Sequence, residues 1–264
     1  MPLIFLKLGG SLITDKSRPY TLRSEKLTDL AGRIAAAVHD HPDMQLVLGH
    51  GSGSFGHTAA SQYNTHFGVS GPEAWRGFAE VWYQASSLNR IVVEALRNAG
   101  LPAITFSPLA SVTAHDGKAF IWDHYPLQTA LTNGLLPVVH GDVAVDDARG
   151  GTILSTEDLF EHLALGLHPN RILLAGLEEG VWADFPERTH LREELTPTEL
   201  AGTVPGLQGS SATDVTGGML SKVSGMLALV GELPDLEVLI FSGENPENLS
   251  KALDGENPGT LLHR

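Results

Sequence analysis

The sequence of 264 residues contains no cysteine and comparatively few basic residues. Without cysteine the chain can form neither a disulfide nor a thiolate metal site. Its 17 lysines and arginines stand against 31 acidic residues, and the resulting net charge of -14 argues against non-specific binding to nucleic acid or to a membrane surface. A chain this acidic that handles phosphate must therefore concentrate its few cations at one place.

The sequence also has no apolar run near the roughly 20 residues that cross a bilayer. The run before Lys7 is too short for a secretion signal, and the positive charge follows it instead of preceding it. We therefore expect a cytoplasmic protein without membrane or nucleic-acid partners. The 12 histidines lack the i, i+4 spacing of a helical zinc site, so we assign no metal ligands and predict that most histidines lie at the surface.

The hydrophobic content of 42% fits a domain with a continuous core, within which short apolar segments alternate with segments of helical periodicity. Strands are predicted over 3–8, 45–48, 103–106, 136–139, 171–175 and 237–241. Helices are predicted over 24–40, 71–100, 156–165 and 215–230. The alternation predicts an α/β fold, a three-layer α/β/α sandwich with a mainly parallel open sheet. The irregular stretch 184–207 is predicted to be a hairpin or a mobile loop.

Glycine-rich segments follow several of these strands, at 9–11, 49–57, 141–142 and 216–219. Glycine lets backbone N–H groups approach an anion, and a helix N-terminus adds unpaired donors. Because the carboxyl ends of parallel strands meet at one edge of a sheet, we expect a single phosphate-binding site there. The sequence has no Walker loop, and the string G-x-G-x-x-G at 51–56 follows the second strand and lacks a convincing acidic partner, which argues against a dinucleotide site.

Three segments resemble signature segments of the amino acid kinase superfamily: K-L-G-G-S at 7–11, G-D at 141–142 and D-V-T-G-G-M-L-S-K at 214–222. Within it, K-L-G-G-S-L-I-T-D-K at 7–16 and H-G-S-G-S-F-G-H at 50–57 are similar to the isopentenyl phosphate kinases, whose usual second string is H-G-G-G-S-F-G-H. The resemblance spans nearly the whole chain. It implies the amino acid kinase fold, and transfer of the γ-phosphoryl group of ATP to isopentenyl phosphate.

The resemblance further implies Mg2+ as a cofactor and a homodimer as the assembly. We expect a single domain over 1–264, with an acceptor-binding half at roughly 1–140 and a nucleotide-binding half at 141–264. Transfer between two phosphates requires in-line positioning and neutralised charge more than a strong base. Small molecules, namely ATP and the phosphorylated acceptor, are therefore the expected partners.

The resemblance and this chemistry together assign four catalytic residues and one specificity residue. We expect Lys7 to bridge the two phosphates and Lys222 to reach the β- and γ-phosphates of ATP. Lys16 is expected to contact the acceptor phosphate or the transferring group, and Asp142 to hold the lysines in place. His57 is expected to donate a hydrogen bond to the acceptor phosphate and so to mark the substrate class.

Backbone donors complete the predicted site. The ATP-binding set is Lys7, Gly9, Gly10, Ser11, Ser52, Gly217, Gly218 and Lys222. The acceptor-binding set is Gly51, His57 and Gly151. Candidates for an apolar pocket around the isoprenoid tail are Phe67, Trp75, Phe78, Val81, Trp82 and Ile121, of which we expect at most two to line it.

Two segments differ from related kinases, and other functions stay open. Residues 155–158 read S-T-E-D where an S-G-D-D-like string is usual, and 176–182 read G-L-E-E-G-V-W where an aspartate-rich turn is usual near the adenosine. The acceptor could instead be a phosphonate such as fosfomycin or an amino-acid carboxylate such as acetylglutamate, although no clamp for an α-carboxylate is evident. A non-catalytic anion-binding or storage protein on the same fold is the alternative of another class.

Overall fold

The computed structural model describes residues 2–63, 65, 68–201 and 218–264. The strands are β1 (Leu3–Leu8), β2 (Gln45–His50), β3 (Ala103–Thr105), β4 (Val112–His115), β5 (Lys118–Trp122), β6 (Leu136–His140), β7 (Asp142–Asp146), β8 (Gly150–Leu154), β9 (Arg171–Gly176), β10 (Val181–Trp182), β11 (Leu191–Arg192), β12 (Glu194–Leu195), β13 (Glu237–Ser242) and β14 (Gly259–Leu262). The helices are α1 (Gly10–Ile13), α2 (Ser24–Asp40), α3 (Gly53–Tyr63), α4 (Gly71–Asn98), α5 (Pro108–Ser111), α6 (Tyr125–Thr132), α7 (Thr156–Leu167), α8 (Pro197–Ala201), α9 (Gly218–Glu232) and α10 (Pro246–Leu253).

The central sheet has eight strands in the order β12-β14-β13-β9-β1-β2-β6-β3. All neighbouring pairs are parallel except β13 and β14. A second sheet has the order β5-β4-β7-β8, and β10 and β11 form a two-stranded ribbon. Because β1 lies between β2 and β9, the segments that follow these three strands converge at the middle of the central sheet.

Side chains of the central strands alternate between two cores. Along β1, Leu3 and Phe5 pack in the core that includes α6, α7 and α9. Ile4, Leu6 and Leu8 pack in the opposite core with α2, α4 and α10. Helices therefore cover both faces, which confirms the predicted three-layer α/β/α fold with a mainly parallel sheet.

Several local predictions were incomplete. The segment 49–57 was predicted to be a glycine-rich turn, but β2 extends to His50 and α3 already begins at Gly53. Among the predicted tail-pocket candidates on α4, Trp75 and Trp82 are exposed, whereas Phe78 and Val81 are buried. The second sheet was missed altogether. None of the helices in the described part of the chain combines the length and hydrophobicity that a bilayer span needs.

Candidate active site

A cavity of about 560 Å³ lies at the carboxyl ends of the central strands. The predicted site residues that line it are Lys7, Gly9, Gly10, Ser11, Lys16, Gly51, Ser52, His57, Asp142, Gly218 and Lys222. Gly217 falls outside the described residues. Gly151 lies away from the lining, buried on β8, where an added Cβ would come within 2.8 Å of the Phe78 ring. The predicted role of Gly151 stays a prediction.

The loops after β1 and β2 touch at glycines. A Cβ on Gly10 would lie 2.4 Å from the backbone nitrogen of Gly53, and Gly53 itself has a φ of +50°. Both positions therefore require glycine, the first for space and the second for conformation. The Gly51 N–H donates to the carbonyl of Leu8 at 3.0 Å, which fixes the second loop against the end of β1. The N-termini of α1 and α3 thus lie side by side, and residues of both loops line the cavity.

Lys7 lies one residue before the end of β1, opposite Gly49 of β2 in register, and is only 9% exposed. The absence of a side chain at Gly49 lets α7 approach, because a Cβ there would lie 2.4 Å from Cγ2 of Thr156. The Thr156 hydroxyl then donates to the His50 carbonyl at 2.7 Å. These contacts place the first turn of α7 beside the ammonium group of Lys7.

Glu157, in that first turn, contacts both predicted catalytic lysines. Its carboxylate forms an ion pair with Lys7, and its Oε1 lies 3.6 Å from Nζ of Lys222. Burial alone would raise the pKa of Glu157, but the charges of Lys7 and Lys222 lower it to about 2. We predicted that Asp142 would hold the lysines; in the structure, Glu157 is the carboxylate that bridges them.

The sequence contained a signal for this arrangement. Ser155 and Asp158 form a capping box, in which the Ser155 hydroxyl accepts from the Asp158 N–H and the Asp158 carboxylate accepts from the Ser155 N–H. The S-T-E-D string is therefore a helix start, and it holds the negative charge of Glu157 at the positive end of the helix dipole.

We expect Glu157→Gln to lower the free energy of unfolding by up to about 3 kcal/mol at pH 7. The folded-state pKa of about 2 lies below the ordinary value of 4.5, so the carboxylate stabilises the fold above pH 4.5 and loses this contribution as pH falls toward 2. The stability difference between wild type and variant should therefore shrink in denaturant titrations between pH 7 and about pH 3. A constant difference across that range would contradict the ion pairs.

Asp142 is 1% exposed and forms part of a buried polar array. Its Oδ1 accepts from the Val143 N–H at 2.8 Å, and its Oδ2 lies 3.3 Å from Nε2 of His140. The rings of His140 and His50 stack with centroids 5.4 Å apart. Both histidines are fully buried, so they are not among the histidines that were predicted, as the majority, to lie at the surface.

Lys16 and His57 both line the cavity, Lys16 from the segment after α1 and His57 from α3. Lys16 is exposed at the tip of a turn. Asp15 stabilises this turn, because the Asp15 Oδ1 accepts from the Ser17 N–H at 2.9 Å and from the Ser17 hydroxyl at 2.6 Å. His57 is half-buried in the first turns of α3. Both side chains therefore belong to segments whose backbone is fixed locally.

Part of the cavity wall is apolar and is formed by Ala60 of α3, Val81 of α4 and Ile153 of β8, which pack in one small hydrophobic cluster. Ala60 follows His57 by about one turn of α3, so this apolar recess adjoins His57. Of the predicted tail-pocket residues that the structure describes, only Val81 lines the cavity, while Phe78 packs in the small core beside it. Trp75, Trp82 and Ile121 are exposed outside the lining, and Phe67 falls outside the described residues.

The cavity wall on the β9 side contains the altered 176–182 segment. Leu177, Glu178, Gly180, Val181 and Trp182 line it together with Phe185. The Arg188 guanidinium lies over the Phe185 ring and 3.1 Å from the Glu178 carboxylate.

Comparison with known proteins agrees with this geometry. The profile of the amino acid kinase family matches residues 2–242. The isopentenyl phosphate kinase of Haloferax volcanii is 35% identical over 99% of both chains, and that of Methanothermobacter thermautotrophicus is 33% identical over 96% of both. A solved isopentenyl phosphate kinase structure superposes with a TM-score of 0.82, covering 98% of this chain and 99% of its own, at 29% identity. The chain therefore belongs to the amino acid kinase family, in which it resembles the isopentenyl phosphate kinases over nearly its whole length.

Proposed function

We propose that this chain transfers the γ-phosphoryl group of ATP to isopentenyl phosphate and so produces isopentenyl diphosphate. The observation that carries the proposal is a cavity that combines two lysines on a common buried carboxylate with an apolar recess beside a histidine. Relatives of similar length bear the name isopentenyl phosphate kinase, which supports the same substrate pair.

Charge neutralisation is the main task of the site, because the transferring group carries negative charge on three oxygens. Lys7 and Lys222 supply two positive charges on the same side of the cavity, and the Glu157 carboxylate holds the two ammonium groups close together before substrate binds. A preorganised pair requires no rearrangement during transfer, which is the condition for a large electrostatic contribution. Lys16, on the exposed turn, then contacts the acceptor phosphate or the transferring group.

The acceptor lies between the glycine loop and the apolar recess. Gly51 keeps the second loop packed against Gly10 at the edge of the acceptor site, and His57 donates a hydrogen bond to the acceptor phosphate. The isoprenoid tail fills the recess formed by Ala60, Val81 and Ile153. Residues 1–140 thus form most of the acceptor half, with Ile153 added from the remainder of the chain.

The nucleotide lies along residues 141–264 and the loop after β1. Gly10, Ser11, Ser52 and Gly218 line the cavity, and we expect their backbone N–H groups to face its phosphates. Gly9 also lines the cavity, but its N–H donates to the carbonyl of Ala175 at 2.8 Å and so keeps the loop after β1 against β9. Among the described residues, no group of three or more Asp, Glu or His side chains could hold a metal ion. The described residues thus form no cluster that would hold Mg2+ by itself, and since Mg2+ is usually bound through one or two carboxylates together with substrate phosphates, we expect the ion to enter with the phosphates of ATP.

The other acceptors fit the cavity less well. Fosfomycin has no isoprenoid tail for the recess, and acetylglutamate would place charge against Val81 and Ile153. A storage protein would not require the two lysines to converge on Glu157. The homodimer and the cytoplasmic location remain predictions from the sequence.

The proposal is tested by coupled measurement of ADP release with isopentenyl phosphate, dimethylallyl phosphate, fosfomycin and acetylglutamate. We expect kcat/KM to be highest for isopentenyl phosphate and lower by at least about 100-fold for the two acceptors without an isoprenoid tail. Preference for fosfomycin or acetylglutamate would overturn the substrate assignment. No ADP release with any acceptor would favour the storage protein.

A further inference from the structure

An ion-pair cluster joins residues from the two ends of the chain at a partly exposed edge of the cavity. Arg23, directly before α2, forms a two-pronged ion pair with the carboxylate of Glu244, which follows β13, and its Nη2 lies 2.9 Å from Oε2. Lys26 of α2 donates to the backbone carbonyl of Glu244 at 2.6 Å. Arg23 and Glu244 both line the cavity, but the phosphoryl transfer proposed above gives neither of them a role.

Stability of the fold does not account for this cluster. The side chains of Arg23 and Glu244 are 31% and 40% exposed, and an ion pair in such a position contributes little to the free energy of unfolding because water screens it. A two-pronged pair does fix geometry, however, since two parallel hydrogen bonds allow only one orientation of the groups. The pair is therefore better suited to hold a segment in position than to stabilise the domain.

The segment that Arg23 holds is the Lys16 loop, residues 14–22, which directly precedes it. The Arg23 N–H donates to the carbonyl of Ile13 at 2.9 Å, and the first and last residues of the loop pair in an antiparallel bridge. The Nη1 of Arg23 also donates to the carbonyl of Ser11 at 3.4 Å. Arg23 thus closes the base of the Lys16 loop with its backbone and reaches across the cavity edge with its side chain.

The other end of the ion pair is fixed as well. The Glu244 N–H donates to the hydroxyl of Ser242 at 3.2 Å, and that hydroxyl donates to the carbonyl of Leu177 at 3.2 Å. Between them, the Gly243 N–H donates to the carbonyl of Gly176 at 2.9 Å. The carboxylate therefore stands on the loops after β9 and β13, which belong to the predicted nucleotide-binding half.

We propose that Arg23 is a positioning residue for Lys16: its ion pair with Glu244 holds the Lys16 loop against the nucleotide-binding half, so that the ammonium group of Lys16 stays within reach of the phosphates. Lys16 lines the cavity from an exposed turn, so its place there depends on how the loop is held. A displacement of about 1 Å can slow a transfer that requires exact alignment by about 100-fold. The inference rests on the proposed function, in which Lys16 contacts the acceptor phosphate or the transferring group.

The kinetic test is a double-mutant cycle of Arg23→Met and Lys16→Met. If Arg23 acts through Lys16, Arg23→Met should lower kcat by about 10-fold in the wild-type background and by less than about 2-fold once Lys16 is replaced. A role in the fold alone predicts the same factor in both backgrounds, and that result would overturn the proposal. A Lys16→Met variant with the kcat of wild type would overturn it too. Melting temperatures show whether each variant folds.

Glu244→Met distinguishes positioning from a simple effect of charge. If only the net charge at the cavity edge mattered, removing a carboxylate would favour the anionic substrates, and kcat/KM for ATP would rise. Loss of the ion pair should instead lower kcat by about 10-fold, as Arg23→Met does, because the Lys16 loop is released in both variants. An unchanged or increased kcat in Glu244→Met would contradict the positioning role.

The matched control is Arg33→Met. Arg33 also joins α2 to the segment after β13, with its Nη1 3.2 Å from Oε1 of Glu247 on α10, but both side chains lie outside the cavity lining. Its replacement should leave kcat within about 2-fold of wild type. A loss equal to that of Arg23→Met would mean that any link between these segments supports activity, and would refute a specific role of Arg23.

A second measurement needs no turnover and so separates this inference from the proposed function. Because the chain has no cysteine, spin labels can be attached at Arg18→Cys in the Lys16 loop and at Lys251→Cys on α10, two exposed positions. Pulsed electron paramagnetic resonance then gives the distribution of distances between the labels in the substrate-free protein. Adding Glu244→Met should widen this distribution at least about 2-fold, whereas adding Arg33→Met should leave it unchanged.

The two measurements fail in different ways. Equal widths with and without Glu244→Met would overturn the positioning of the Lys16 loop even if the kinase activity is established. Failure of wild type to phosphorylate isopentenyl phosphate, with the loop released by Glu244→Met, would overturn the function and with it the purpose of the loop.

Discussion

Lys7→Met is expected to lower the kcat of the folded protein by about 100-fold or more. Lys7 supplies one of the two positive charges that Glu157 holds at the centre of the cavity. Methionine has a similar length but carries no charge, so the transferring phosphoryl group loses stabilisation as its charge develops. Steady-state ADP release with saturating isopentenyl phosphate and ATP measures the effect. Turnover near the wild-type rate would end the assignment of Lys7.

The matched control is Lys118→Met. Lys118 also pairs with a carboxylate at the start of α7, with its Nζ 2.6 Å from Oδ1 of Asp158, but it is exposed and lies outside the cavity lining. Its replacement removes the same charge from the protein and should leave kcat within about 2-fold of wild type.

The double variant Lys7→Met/Glu157→Gln separates stability from catalysis. Lys7→Met alone leaves Glu157 with only the more distant Lys222, and breaking one side of a buried pair costs about 3–5 kcal/mol. Replacing both partners removes the buried charge and should recover most of that stability without recovering turnover. Recovery of turnover together with stability would mean that Lys7 acts on the fold alone.

His57→Ala is expected to raise KM for isopentenyl phosphate and to leave KM for ATP nearly unchanged. His57 lines the cavity next to the apolar recess, where we propose that it donates to the acceptor phosphate. A hydrogen bond to a charged group contributes roughly 1.5–3 kcal/mol, so kcat/KM for the acceptor should fall about 10- to 150-fold. Initial rates over a matrix of both substrate concentrations give the two KM values separately.

Two further variants sharpen that result. His57→Gln keeps a donor without a charge and should lie between wild type and His57→Ala. His39→Ala, at an exposed position on α2, removes a histidine far from any predicted role and should behave as wild type. If His57→Ala instead raises KM for ATP, or changes neither constant, the phosphate acceptor is assigned to the wrong group.

Segments that determine their own structure were predictable from the sequence. The apolar run Leu3–Leu8 and the helical periodicity of Ser24–Asp40 gave the observed bounds of β1 and α2. Both segments bury a continuous run or stripe, which is the strongest local signal. The second sheet, β5-β4-β7-β8, was missed because most residues of β5 are exposed to solvent and β5 shows no clear alternation of buried and exposed side chains.

The remaining features of the site depend on tertiary contacts. Glu157 stands next to a capping box that the sequence does show, but its pairing with Lys7 requires α7 to dock on Gly49. The burial of His50 and His140 follows from the neighbouring positions of β2 and β6 in the sheet, which no local pattern specifies. The glycine segments could be assigned to one site from the sequence, because the carboxyl ends of the strands converge at one edge of any parallel sheet.

The central position of β1 also has a consequence for biosynthesis. β1 pairs with β2 on one edge and with β9 on the other. The edge that pairs with β9 therefore lacks a partner until residue 176 has left the ribosome. During this interval the apolar strand has an open edge that other nascent chains can join. Nucleotide gives no protection at that stage, because Lys222 is synthesised later still and ligands stabilise only the chain that already binds them. Chaperones that cover strand edges are thus expected to matter more for the yield of this protein than its equilibrium stability would suggest.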